Sequence, residues 1–280
     1  MLRIIIGLLA LLAIVAASVH LESASQGLSV STQRLGTTPV TVYRPAARAG
    51  TTGPAGPAPV VLIAHGFAGS QQLMQPFATT LARNGFVAIT FDFPGHGRNT
   101  APMRGGLTDQ NASLHTLLTA MDQMGAFAQE LTRTHGGSER YAVIGHSMAS
   151  DIVVRHAQAH AQVEATVGVS LFAPSITATT PHDSPRNLLV IDGALEPGMM
   201  EREAERVVGL VAGPGALPAT TYGSFQDRTA RRHTLSSGVE HMGVLYSAQT
   251  LSETLRWLET PAPGLLSIQQ QLLSYLPHSL

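Results

Sequence analysis

The sequence predicts an α/β fold, with a doubly wound, mostly parallel sheet and helices on both of its faces. Short uninterrupted apolar runs, as at residues 60–64 and 86–91, are typical of central parallel strands that are buried on both faces. Segments of helical periodicity, as at residues 71–84, lie between these runs, and such alternation indicates consecutive βαβ units. The chain of 280 residues is long enough for one large domain of this kind.

The other elements follow the same alternation. Residues 28–31 and 40–43 alternate apolar and polar side chains, like half-buried antiparallel strands, and a Pro/Gly/Ala-rich loop at 44–59 precedes the first parallel strand. The remaining predicted elements are, in chain order, a long helix within 107–134, a strand at 141–144, a helix to about 160, strands at 165–172 and 187–191, a helix at about 199–211, a strand at 231–235 and a closing helix at 244–258.

The amino terminus differs in character from the rest of the chain. Arg3 precedes an uncharged, mostly aliphatic stretch at residues 4–19, which is long for a signal peptide and short for a spanning helix. A basic residue on this side predicts that the remainder is exported and is periplasmic or otherwise extracytoplasmic, either secreted or anchored by this apolar segment. We therefore divide the chain into an export signal or membrane anchor at 1–26, an α/β domain at 27–260 and an amphipathic tail at 261–280.

The composition excludes several kinds of chemistry. There is no cysteine, which excludes disulfides and a thiol nucleophile. All 17 basic residues are arginine, so a Ser–Lys dyad, a P-loop and a Schiff base are excluded as well. The net charge of −1 and the lack of a basic cluster argue against a nucleic acid partner.

A serine stands where a predicted strand turns into a predicted helix. Ser147 follows the apolar run at residues 141–144, with Gly145 and Ala149 on its two sides. A sharp strand-to-helix turn exposes a serine hydroxyl, and it needs small neighbours because its backbone is strained. The simpler alternative is an ordinary turn in which Ser147 caps the helix. The rest of the sequence decides between these two interpretations.

A glycine-containing turn follows the strand at residues 60–64. It begins at His65 and lets the backbone approach a ligand closely, so the Phe67 N–H and the Met148 N–H could together form an oxyanion hole. We expect His65 to pack the loop rather than to react. A second rigid loop follows the strand at residues 86–91, and we interpret its His96 as a loop residue rather than a catalytic base.

Two polar sites late in the chain supply a possible acid and a possible base. Asp192 and Glu196 follow the predicted strand at 187–191, and His241 lies just before the closing helix. Nucleophile, acid and histidine in this chain order are what the serine turn predicts. His241 would take the Ser147 proton, and a carboxylate would fix its tautomer.

Other groups are interpreted as structural. His156 and His160 are one helical turn apart, but Ala157 stands where a zinc hydrolase of this pattern needs a glutamate. We expect these histidines to form an exposed helix face, and Asp151 with Arg155 to form a surface pair.

With these motifs the chain resembles the α/β-hydrolase family, and more specifically its lidless esterases and dienelactone hydrolases, over residues 40–258. The resemblance implies an α/β-hydrolase fold without a large lid domain, because only a short loop lies at 172–186. In that family the acid often lies three residues beyond a glycine that ends a strand, which here is Glu196, with Asp192 as the alternative. Glutamate for aspartate and Ala149 for glycine depart from the family's usual pattern.

The expected function is that of a serine hydrolase that cleaves carboxylic esters or related acyl bonds. Ser147 would form the acyl-enzyme, no metal or organic cofactor would be required, and the open site would suit small or exposed esters or acyl groups on larger molecules. An exported peptidase- or thioesterase-like hydrolase is the alternative within enzymes. A membrane-attached binding protein that kept the fold without turnover is the alternative of another class.

Overall fold

Nine strands form one sheet in the computed structural model, which describes residues 2–23, 26–46, 58–106, 108–134 and 139–260. The helices and strands are α1 (Leu2–Ser23), β1 (Leu28–Leu35), β2 (Thr38–Pro45), β3 (Val60–Ala64), α2 (Gln75–Arg83), β4 (Val87–Phe91), α3 (Gln110–Thr134), β5 (Tyr141–His146), α4 (Met148–Ala159), β6 (Val163–Val169), β7 (Leu188–Gly193), α5 (Gly198–Ala212), β8 (Thr221–Tyr222), β9 (Arg231–Ser236) and α6 (Ala248–Glu259). Short 3-10 helices precede α2 and α6.

The centre of the sheet is parallel and its two sides are antiparallel. The strand order is β1-β2-β4-β3-β5-β6-β7-β9-β8, and the six strands from β4 to β9 in this order run parallel. β1 and β2 pair antiparallel at one side and β8 pairs antiparallel at the other. The predicted doubly wound, mostly parallel sheet is confirmed.

Alternating side chains of the buried strands face two separate helical layers. In β3, Val61 and Ile63 pack with α2 and α6, whereas Val60 and Leu62 pack with α3 and α4 on the opposite face. All five residues of β3 are buried, which explains why its sequence is an unbroken apolar run. The helices thus cover the two faces of the sheet, and loops lie at the carboxyl ends of the parallel strands.

β6 ends before its predicted limit, and β8 was not predicted. β6 ends at Val169, although apolar residues continue to Phe172, because Ser170 takes a positive φ of 52° and turns the chain away. Leu171 then packs against α5 and Phe172 is exposed. β8 has only two residues, so its sequence shows no periodicity from which a strand could be predicted. Residues 170–187 contain no helix or strand, so no large lid is present there.

The helix α1 stands apart from these layers. Its side chains from Leu2 to Val19 are exposed, and this stretch is long and apolar enough to cross a membrane. By length and composition a signal sequence has the same properties. The predicted tail at 261–280 lies outside the described residues, and the division at 26 and 260 stays a prediction.

Candidate active site

The turn between β5 and α4 is strained at Ser147. Ser147 has φ 53° and ψ −117°, and α4 begins at the next residue, Met148. A positive φ in a residue with a side chain costs energy, and such strain collects at functional sites. Gly145 is required here, because a Cβ on it would lie 2.4 Å from the Ala149 carbonyl oxygen. Ala149 itself is fully buried, so its small side chain fits the turn.

Three of the predicted site residues lie in one hydrogen-bonded row. Ser147 Oγ lies 2.9 Å from His241 Nε2, and His241 Nδ1 lies 2.5 Å from Glu196 Oε1. Each residue follows a different parallel strand: Ser147 follows β5, Glu196 follows β7 and His241 follows β9. Ligands of open parallel sheets bind at this edge, where the strands end.

The Glu196 carboxylate is shaped by a short turn. Its Oε2 accepts a hydrogen bond of 2.8 Å from the Gly193 N–H, which folds the side chain back onto the end of β7. Burial alone raises the pKa of Glu196, but the hydrogen bonds from His241 and from the Gly193 N–H outweigh it, so the pKa is below its ordinary value. Glu196 is therefore an anion at neutral pH.

The charge of Glu196 acts on the imidazole beside it. The hydrogen bond that His241 donates to Glu196 raises the pKa of His241 above its ordinary value, against the lowering effect of burial. The neighbouring Glu240 does not join the row, since its carboxylate accepts hydrogen bonds from the Met242 and Gly243 N–H groups at 2.8 and 2.7 Å. It shapes the loop that carries His241.

Asp192, the alternative acid, has a different partner. Its Oδ2 lies 3.0 Å from Nε2 of His233 on β9, and both side chains are buried. Burial raises the pKa of Asp192. The structure thus brings Glu196 to His241 Nδ1 and leaves Asp192 paired within the sheet.

The loop after β3 lies against the turn that carries Ser147. A Cβ on Gly66 would lie 2.9 Å from His146 Nδ1 and 3.2 Å from Ser147 Cβ, so only glycine allows this approach. Phe67 comes next, and its N–H has no hydrogen-bond acceptor among the described residues. The N–H of Met148, the first residue of α4, likewise has no acceptor within its helix. These are the two groups predicted for an oxyanion hole.

His65 and His96 hold the neighbouring loops together. The Phe93 N–H donates a hydrogen bond of 3.1 Å to His65 Nε2, and His65 Nδ1 lies 2.8 Å from the Gly66 carbonyl oxygen. Burial lowers the pKa of His65 to about 4, so its ring is neutral at pH 7. His96 Nδ1 lies 3.0 Å from the Pro94 carbonyl oxygen. Neither imidazole reaches the Ser147 row.

A cleft of about 390 Å³ opens beside the hydroxyl of Ser147. Phe172, Pro174 and Met200 supply apolar walls, and Asp151 supplies an acidic one. The Asp151 carboxylate already accepts a hydrogen bond of 2.6 Å from Arg155 Nε, and it also bonds Ser175. The predicted pair of Asp151 and Arg155 therefore exists, at the wall of the cleft.

The expectation for His156 and His160 was wrong in part. His156 is buried, not on an exposed face, and its ring lies between Tyr141 and Asp122. Only His160 is partly exposed. The sequence pattern misses this because Asp122 lies on α3, 34 residues from His156.

One residue at the site had no predicted role. His146 Nε2 lies 3.0 Å from the main-chain carbonyl oxygen of His241, so this imidazole contacts the loop that carries the candidate base. Its position next to Ser147 is a possible signal, but nothing in the sequence indicates a contact across 95 residues.

Comparisons with known proteins identify a hydrolase family and a fold. Residues 55–201 match the hydrolase family described as serine aminopeptidase, S33. No curated protein matches the sequence significantly.

Similar solved structures include a bacterial membrane phospholipase A, with 14% identity and a TM-score of 0.57, covering 92% of this chain and 98% of that one. A putative dienelactone hydrolase from Klebsiella pneumoniae has 14% identity and a TM-score of 0.56, over 84% and 99%. A monoglyceride lipase variant from Saccharomyces cerevisiae has 13% identity and a TM-score of 0.52, over 84% and 96%. At these identities the likeness is one of fold alone.

Proposed function

The chain belongs to the hydrolase family described as serine aminopeptidase, S33, within the α/β hydrolases, and on this premise we propose that it cleaves carboxylic esters through an acyl-enzyme. The observation that carries the proposal is the row from Ser147 Oγ through the His241 imidazole to the Glu196 carboxylate. A nucleophile, a base and an orienting acid within hydrogen-bond reach are what acyl transfer by serine requires.

The proposed reaction has two halves. Ser147 Oγ attacks the ester carbonyl carbon while His241 Nε2 takes the hydroxyl proton, and the resulting oxyanion accepts hydrogen bonds from the Phe67 and Met148 N–H groups. The carbon–oxygen bond to the alcohol then breaks, and His241 returns the proton to the leaving oxygen. In the second half, water loses a proton to His241 and attacks the acyl group. Ser147 regains its proton from His241 as the carboxylic acid leaves.

The cleft favours an ester over a peptide with a free amino terminus. An aminopeptidase must bind a substrate ammonium, and an unpaired carboxylate is the natural partner for that charge. Asp151 faces the cleft but is paired with Arg155. Phe172 and Met200 line the same cleft and suit an apolar acyl group.

Several exposed apolar side chains belong to the loops that carry the proposed site residues. Phe67, Leu195 and Met242 are exposed, and each is, or lies next to, a residue of the proposed site. Exposed apolar side chains grouped in this way mark surfaces that bind apolar partners. We therefore propose an ester with an apolar acyl chain as the substrate class.

The amino-terminal helix gives the enzyme a proposed location. A helix of this length and composition fits a signal anchor, and Arg3 on its amino side favours export of the remainder. We propose that the protein works outside the cytoplasm and is attached to the membrane through residues 4–19. Membrane fractionation, with protease added to spheroplasts from which any outer membrane has been opened, tests this: protection of the hydrolase region from protease would contradict export.

Turnover of a p-nitrophenyl ester series from acetate to palmitate tests the activity, with the full chain in detergent. Ser147→Ala and His241→Ala should each lower kcat by about 10⁴-fold or more. Ser29→Ala and His115→Ala, at exposed positions remote from the site, are the matched controls and should keep wild-type rates. A fluorophosphonate should label wild type but not Ser147→Ala.

Each other outcome points to a specific alternative. Cleavage of thioesters or aminoacyl amides, with esters left intact, would favour the other hydrolase classes. No turnover of any acyl substrate, together with no labelling of Ser147, would favour the binding-protein interpretation.

A further inference from the structure

Three side chains with metal-ligating atoms converge between α3 and α4, at the far end of α4 from Ser147. Asp122 Oδ1 lies 2.6 Å from His156 Nδ1 and 3.1 Å from His160 Nε2. All three ligand atoms lie within 4.8 Å of one another. We propose that Asp122, His156 and His160 form a binding site for a divalent zinc ion, separate from the proposed active site.

The donor set and its spacing fit this ion. Two imidazole nitrogens and one carboxylate oxygen are common zinc ligands, at about 2.0 to 2.2 Å from the metal. Tetrahedral ligands at that radius are about 3.3 Å apart. The Asp122–His160 distance is already close to this value, and the Asp122–His156 distance must open by less than about 1 Å. The Asp122 side chain is half exposed and is therefore free to make this adjustment.

The ring of His156 is held with its Nδ1 atom directed toward Asp122. Its ring is buried, and its other nitrogen, Nε2, lies 2.7 Å from the Tyr141 hydroxyl oxygen. A metal-bound imidazole keeps its remaining N–H and gives it to a neighbouring acceptor, which fixes the ring. The Tyr141 oxygen can accept that hydrogen bond.

The facing helix, α3, has a glycine where the His156 and Tyr141 rings lie against it. A Cβ on Gly125 of α3 would lie 2.6 Å from His156 Cε1 and 2.7 Å from the Tyr141 oxygen. Glycine inside a helix costs about 1 kcal/mol relative to alanine. Gly125 therefore weakens α3 at the one place where the imidazole and the phenol enter between the helices.

The expected role is structural. The ion would join α3, through Asp122, to α4, through His156 and His160, and α4 is the helix that begins directly after Ser147. Asp122 and His160 are partly exposed, which leaves room for water as the fourth ligand. No residue of this cluster contacts Ser147, His241 or Glu196, so the proposal does not depend on the proposed hydrolase activity.

Metal binding to the full chain, in detergent and without a histidine tag, tests the site after treatment with a chelator. Zinc should bind one to one, and at about 100 times its Kd it should raise the melting temperature by roughly 5 to 10 °C. Cobalt should give the visible absorption of a tetrahedral complex. His160→Ala and Asp122→Asn, both at partly exposed positions, should abolish the cobalt spectrum and the shift in melting temperature.

His115→Ala is the matched control, because it removes an exposed histidine of α3 outside the cluster. This variant should bind zinc like wild type. The proposal is overturned if wild type shows no one-to-one binding, if His160→Ala and Asp122→Asn bind as tightly as wild type, or if His115→Ala loses binding equally. Circular dichroism of each variant identifies a loss of binding that results only from unfolding.

Discussion

His146 Nε2 lies 3.0 Å from the carbonyl oxygen of His241, so the residue before the proposed nucleophile contacts the main chain of the proposed base. Burial lowers the pKa of His146 to about 4, and the ring is therefore neutral at pH 7. Because a carbonyl oxygen only accepts hydrogen bonds, Nε2 carries the proton and donates it. This hydrogen bond connects the loop that carries His241 to the end of β5.

We expect the two amide replacements of His146 to differ. In His146→Gln the amide nitrogen stands as many bonds from Cα as Nε2 does, so the hydrogen bond to the His241 carbonyl can persist. His146→Asn is one bond too short, and loss of a hydrogen bond worth about 1 to 1.5 kcal/mol should lower kcat about tenfold. Steady-state kinetics on the best ester checks this. Equal rates for the two variants would show that the contact does not position His241.

The pH dependence of kcat/KM should depend on Glu196. The proposed base must be unprotonated, so activity should rise with pH through the pKa of His241, which Glu196 holds above its ordinary value. In Glu196→Gln this pKa should fall and the acidic limb should move to lower pH, while kcat falls by up to about 10⁴-fold.

Asp192→Asn is the matched control for this profile, because Asp192 pairs with His233 instead. It should move the acidic limb far less than Glu196→Gln does, because the Asp192 charge contributes least to the raised pKa of His241, even if it lowers the melting temperature. A shift of the limb in Asp192→Asn and none in Glu196→Gln would exchange the two acids in the mechanism.

Gly66→Ala should reduce turnover without removing any functional group. The new Cβ would meet His146 Nδ1 and Ser147 Cβ, so the loop must retreat and carry the Phe67 N–H away from the oxyanion. Loss of one oxyanion donor costs roughly 10² to 10³ in kcat. Gly209→Ala, where the helix α5 leaves open space, should keep wild-type kcat and raise stability slightly. Wild-type kcat in Gly66→Ala would remove Phe67 from the mechanism.

The protein should lose stability as the pH falls from about 6.5 to about 4. Burial lowers the pKa of His65 and of His146 from 6.5 to about 4, so in this window the unfolded chain binds protons that the folded protein excludes. Stability is therefore complete above the unfolded pKa, and each histidine removes up to roughly 3 kcal/mol on acidification. Denaturant unfolding across this range measures the slope. His146→Gln should flatten it, and His115→Ala should not; an equal slope in all three proteins would contradict this origin.

Much of the fold is predictable because the strands that build it are buried on both faces. The runs that become β3 and β5 are short and apolar without interruption, which distinguishes them from the much longer apolar run of the exposed helix α1. The predicted strand at 165–172 runs past the end of β6, because its last two residues are apolar for other reasons. Leu171 packs against α5, and Phe172 lines the cleft. Hydrophobic periodicity does not distinguish an apolar residue of a buried strand from one that packs against a helix or lines a cleft.

Part of the candidate site could be predicted from the types of the residues and from their order along the chain. Ser147 and His241 could be proposed from residue type and order, Glu196 was preferred to Asp192 only through the family resemblance, and the structure places the three within hydrogen-bond reach. The contacts of His146 and the burial of His156 depend on partners that the fold brings from distant segments. No local pattern in the sequence contains that information.

The connection between β6 and β7 is fixed at both ends, and its residues 177–183 are exposed or partly exposed. The Phe172 N–H donates to Ser150 Oγ on α4, and the Asn187 side chain donates to the Glu164 carbonyl oxygen on β6. Because the entropy of closing a loop grows slowly with its length, extra residues could enter this stretch at little cost to the sheet. Recombination at this connection could therefore replace the wall of the cleft as a module, which gives evolution or an engineer a way to change substrate range while the reacting groups stay in place.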